Sequence, residues 1–105
     1  MTIEPVRGAS DDPRLAAAWR ALEMVIDPEV GLDIVTMGLV YDVAIADDVV
    51  HVTHSLTTRG CPLEAVITQG IRDAIGFVSG VTGVETHLVW DPEWHPGMIS
   101  QGAWR

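Results

Sequence analysis

The chain has 105 residues, enough for a single domain whose core needs no disulfide or metal staple. Fifteen acidic residues face six arginines and no lysine, and the formal net charge of −9 repels a phosphate backbone, which argues against nucleic-acid binding. A lone cysteine rules out an internal disulfide or a Cys-x-x-Cys motif, and no apolar run approaches the ~20 residues of a membrane span, so a cytoplasmic protein with no membrane partner is expected.

Residues 1–12 mix Pro, Gly, Ser and charges without periodicity and read as a flexible N-terminal tail, with one domain over 13–105. Asp11-Asp12-Pro13 is a helix start, an acidic cap followed by proline at the first helical position. Leu15, Trp19, Leu22 and Val25/Ile26 recur at helical spacing, and Asp27-Pro28 stops that helix. Residues 27–38 form a connection that is long for so small a domain and too apolar to be disordered. The first strand then places Leu39, Tyr41, Val43 and Ile45 on one face. After a turn at Ala46-Asp47-Asp48, a second strand runs from Val49 to about Thr57, with Val50, Val52, His54 and Leu56 pointing one way. A second helix is expected from Pro62 to about Val78, burying Val66, Ile67, Ile71, Ala74, Ile75 and Val78, and a third strand from Val84 to Trp90. The α-β-β-α-β order predicts a small α/β (α+β) domain, a three-stranded sheet with helices packed on one face. The tail from Asp91 to Ser100 carries large side chains and is expected to fold back over the domain.

Cys61 occupies the tightest piece of local sequence, Leu56-Thr57-Thr58-Arg59-Gly60-Cys61-Pro62-Leu63. A strand-like run ends there, Gly60 lets the backbone turn, and Pro62 suits the first turn of a helix. A thiol at a helix N-terminus loses its proton more readily than a free one, and the thiolate attacks electrophiles and binds soft metals. Thr57 and Thr58 offer hydroxyls to a nearby anion, and Arg59 adds a positive charge. Against this stands the plain role of a lone cysteine as a small buried hydrophobe. Asp27, Glu29 and Asp33 offer metal ligands or acid–base groups on the long connection, although turns use the same residues for hydrogen bonding. His51, His54, His87 and His95 show no metal-ligand spacing. His54 stands out, on the apolar face of its strand and seven residues before Cys61, where a Cys–His pair would require proximity.

Four stretches carry a resemblance: Asp27-Pro28-Glu29-Val30-Gly31-Leu32-Asp33-Ile34-Val35; Met37-Gly38-Leu39-Val40-Tyr41; Thr57-Thr58-x-Gly60-Cys61-Pro62-Leu63; and Val89-Trp90-Asp91-Pro92 with Trp94-x-Pro96-x-Met98-Ile99-Ser100. In this order they resemble the metal–sulfur cluster assembly factor family, with its SufT-like, PaaD-like and eukaryotic iron–sulfur targeting branches. The resemblance spans roughly residues 13–103. It implies a fold similar to the C-terminal domains of iron–sulfur scaffolds and a role in maturing clusters for client enzymes. It also implies Cys61 as the reactive cysteine and Asp27 to Asp33 as the acidic loop, with Asp27 and Glu29 matching. Arg59 stands where relatives usually carry proline, and His54-Ser55 where they usually carry Met-Thr. The cysteine-rich zinc extension of the phenylacetate-pathway branch is absent, which argues against that exact role.

The expected function is therefore a maturation factor rather than a classical enzyme, its Cys61 thiolate holding an iron ion or iron–sulfur cluster in transit, with Asp27 and Glu29 as weaker metal-ligand candidates. Its expected partners are a client iron–sulfur or metal-dependent enzyme, other cluster-assembly proteins and a second copy of itself. Two alternatives stand beside it: a thiol-dependent enzyme with Cys61 as nucleophile and His54 as base, and a non-catalytic accessory protein for a metal-dependent oxygenase.

Overall fold

A computed structural model describes residues 12–59 and 62–99. Asp12 caps the first helix, α1 (Pro13–Leu22): its side chain accepts from the Arg14 amide at 2.9 Å, and Pro13 stands where no amide is needed. The Arg14 guanidinium also grips Asp12, Asp48 and the Gly80 carbonyl, tying the helix start to two distant turns. The helix stops four residues before the expected Ile26. Val25 and Asp27 turn instead to extended backbone, with Ile34 donating to the Val25 carbonyl and Asp27 donating to that of Leu32. These long-range bonds outcompete another turn of helix, and Ile26 is left half exposed, bridged to Asp33.

Strands β1 (Val40–Ala46) and β2 (Val49–His54) form an antiparallel hairpin. Its two-residue loop holds Asp47 and Asp48 at φ of 52° and 66°, the backbone that matches the twist of such a hairpin. An irregularity between Val40 and Asp42 makes Tyr41 an extra residue in its strand, so the simple alternation expected for β1 breaks there. The second strand ends at His54 rather than Thr57; Val50, Val52, His54 and Leu56 are all buried, but Ser55 is buried as well, so the alternation ends with the strand.

Helix α2 spans Glu64–Ile75, shorter at both ends than expected, with Pro62 and Leu63 in the turn before it. Ile67, Ile71 and Ile75, at four-residue spacing, are at most 2% exposed. Val66, expected in that stripe, lies one residue out of phase and is 53% exposed. The helix carries the chain over to β3 (Gly83–Leu88), which pairs with β2 in parallel and gives the sheet order β1-β2-β3. Ala18 and Leu22 of α1 and the α2 isoleucines share one core with Val43, Val50 and Val52, so both helices cover the same face. Each fully buried Leu or Ile contributes on the order of 2 kcal/mol. Ile34, Met37 and Leu39 of the long connection also belong to that core, which explains why this segment is ordered without helix or strand. Among the described residues, no helix is long and apolar enough to cross a membrane.

Candidate functional site

Val40, His54 and Leu88 share one row across the sheet, at the beginning of β1 and the ends of β2 and β3. The connection before β1, the loop from β2 to α2 and the C-terminal tail therefore all meet at one end of the sheet. This is the end at which the parallel strands present their carboxyl termini, where α/β sheets commonly hold their ligands.

In the first of these segments, Asp27 is 4% exposed, and its Oδ1 accepts from the Glu29 amide at 2.9 Å. Its carbonyl accepts from Val30 and Gly31, and Gly31 takes a φ of 85° to close the turn. Asp33 repeats the device, with Oδ2 accepting from the Thr36 amide. Both aspartates thus shape the loop, whereas the Glu29 side chain is exposed. Among the described residues, no three His, Cys, Asp or Glu side chains gather in a way that could hold a metal ion.

The second segment begins at Ser55, fully buried, whose amide donates to the Leu39 carbonyl and so joins this loop to the first. Thr57 is half-buried, Thr58 and Arg59 are exposed, and the Arg59 guanidinium lies over the Trp90 ring, 4.7 Å from its centroid. The positive charge that the sequence placed beside the thiol is thus anchored to the segment after β3. Gly60 and Cys61, central to the sequence reading, lie outside the described residues. Because α2 begins at Glu64, Pro62 is not its first residue, and Glu64 itself occupies the first turn, where the helix dipole favours a negative charge.

His54 is 1% exposed, and its Nδ1 donates to the Ser55 carbonyl at 3.2 Å when the proton is placed on that nitrogen. Burial lowers its pKa, against the opposing effects of that hydrogen bond and of the Glu64 carboxylate. A neutral imidazole results.

The tail closes the site from the other side. The Trp94 indole Nε1 donates to the Met37 carbonyl at 2.7 Å, and the Tyr41 hydroxyl donates to the Pro92 carbonyl at 2.8 Å. Gly38, at a φ of 76°, lies so close to the tail that a Cβ there would run into the Met98 backbone. Reading the chain alone singled out neither Trp90 nor Trp94 as a contact. The available signal was the crowding of large aromatic residues in a segment without periodicity.

The model of the family described as iron–sulfur cluster assembly protein matches residues 15–86. The chain belongs to that family. It is 44% identical over 84 residues to the Fe-S protein maturation auxiliary factor YitW of Bacillus subtilis, covering 79% of this chain and 82% of the relative. Over 81 residues it is 40% identical to the Fe-S protein maturation auxiliary factor SufT of Staphylococcus aureus, covering 76% of this chain and 92% of that protein. Among solved structures, a domain of unknown function from Bacillus anthracis is similar at a TM-score of 0.78 with 36% identity, covering 83% of this chain and 84% of that one. The expected family and fold class are thereby established.

Among the described residues, an apolar groove also lies between α1 and the segment after α2, lined by Ala17, Ala21, Met24, Phe77 and Val78. It lies at the far end of α2 from the thiol loop, roughly 18 Å along a helix of 12 residues.

Proposed function

We propose that this member of the iron–sulfur cluster assembly family matures client metalloenzymes, with Cys61 as the thiolate that holds iron or a cluster in transit. The observation that carries this reading is the likeness, over most of both chains, to proteins named as Fe-S protein maturation auxiliary factors. The convergence of three loops at one end of the sheet supports it, because the thiol-bearing loop is one of them. A soft sulfur ligand is what such cargo requires, and Cys61 is the only cysteine of the chain. An iron–sulfur cluster commonly takes four cysteine ligands, so the remainder come from a second copy, a client cysteine or a small thiol. Asp27 and Glu29 stay secondary candidates, and the Asp27 carboxylate already serves the loop backbone.

The test is Cys61→Ser, which removes the soft ligand and keeps nearly the same shape. In a strain whose own copy is deleted, the variant is expected to fail to restore the activity of an iron–sulfur hydro-lyase that the wild type restores. The purified variant should melt within a few degrees of wild type. A melt lowered by tens of degrees would mark Cys61 as structural, and full restoration of enzyme activity would favour an accessory role in which the thiol is incidental.

A further inference from the structure

The open face of the sheet, away from the helices, holds two ionisable side chains that only the fold brings together. His51 lies on β2 and His87 on β3, 36 positions apart in the chain. Parallel pairing sets His51 beside Glu85 and Thr53 beside His87, so the imidazoles are diagonal neighbours on one face. Nδ1 of His51 and Nε2 of His87 are 3.2 Å apart, the ring planes are 12° from parallel, and the centroids are 5.4 Å apart. The centroid separation exceeds the nitrogen separation by about two ring radii, so the rings meet edge to edge, and in the matching tautomer one N–H donates to the lone pair of the other.

We infer that His51 and His87 form a two-imidazole chelate for a divalent transition-metal ion of the zinc class, distinct from the thiol loop. Zinc–nitrogen bonds of about 2.0–2.1 Å in tetrahedral geometry set two imidazole nitrogens about 3.3–3.4 Å apart. The observed 3.2 Å is close to that bite, so a cation entering between the rings requires the donor ring to carry its proton on its other nitrogen and both rings to tilt, but not to separate. Imidazole is a donor that suits zinc, copper, nickel and iron, and the exposed position leaves room for water to complete the coordination. Glu85 beside His51, and Asp42 across from Thr53 on β1, add negative charge to the same face. This assignment does not depend on the role of Cys61.

Zinc chloride titrated into the tag-free full-length chain, followed by calorimetry, tests the assignment. Cys61→Ser serves as the background, so that no thiol competes. One zinc ion per chain is expected. His51→Ala and His87→Ala should each weaken binding by at least the roughly tenfold that loss of even an outer-shell partner costs. Circular dichroism should show all of these variants folded, since neither histidine is part of the core. Absence of saturable binding in the folded Cys61→Ser chain would overturn the inference, as would binding that survives both histidine substitutions unchanged.

Discussion

Among single residues, His54 has the sharpest energetic consequence. Its side chain is sealed in the core at the end of β2, and burial holds its pKa below the ordinary 6.5 despite the Ser55 carbonyl and the Glu64 charge. The folded value is the lower one, so below about pH 6.5 the unfolded chain takes up a proton that the folded chain refuses. Stability from this group is complete above that pH and declines as pH falls towards the folded value, by at most about 1.4 kcal/mol per pH unit. His54→Met should remove this component, leaving a variant that loses less stability than wild type between pH 7.5 and pH 5. Urea denaturation of both proteins across that range provides the measurement, and parallel pH profiles would contradict the assignment. That His54 faces the core was legible from the alternation of Val50, Val52, His54 and Leu56. That its Nδ1 has the Ser55 carbonyl within reach was not, because neither the end of a strand nor the path of the following loop follows from a period of two.

At the scale of elements, the three segments at the end of the sheet are held to one another by few but specific contacts. The long connection docks through Ile34, Met37 and Leu39, the thiol loop through Ser55, and the tail through Trp94. Gly31 and Gly38 separate two effects. Both adopt positive φ, but a Cβ at Gly31 meets nothing within 4 Å, while one at Gly38 collides with Met98. Gly31→Ala should therefore cost only the backbone term, about 1–2 kcal/mol. Gly38→Ala should cost more and should release the tail, which hydrogen exchange over residues 91–99 would report. Equal costs, with the tail still protected, would show that the Met98 contact is not what holds it. The helices teach a related lesson. Spacing placed α1 and α2 correctly in the chain but extended both, because hydrophobic periodicity continues through Val25 and Val78 while the backbone has already left the helix to make other bonds.

For the whole molecule, one cysteine per chain sets the stoichiometry of any cargo held by sulfur. A cluster held by this protein alone needs sulfur from more than one chain, and a two-fold dimer brings the same patch from each subunit to a common axis. Anaerobic reconstitution with iron and sulfide, followed by size exclusion, should place any cluster on a dimeric peak that loses it readily. A stable cluster on the monomeric peak, in buffer free of added thiol, would require ligands other than Cys61.

Local chemistry alone determined a good deal of this protein. The Asp12-Pro13 cap, the Asp47-Asp48 hairpin loop, the alternation along β2 and the isoleucine spacing of α2 each depend on neighbours a few residues away, and each appears in the structure as expected. The ordered run of motifs around Cys61 likewise carried the family. Tertiary structure alone decided the early end of α1, the extra residue at Tyr41, the Arg59–Trp90 contact and the meeting of His51 with His87. These depend on which strand pairs with which and in what register, and no rule of local spacing contains that information. Register is settled by burying one face of the whole sheet at once, and a shift of one residue would have carried His51 away from His87 to the opposite face.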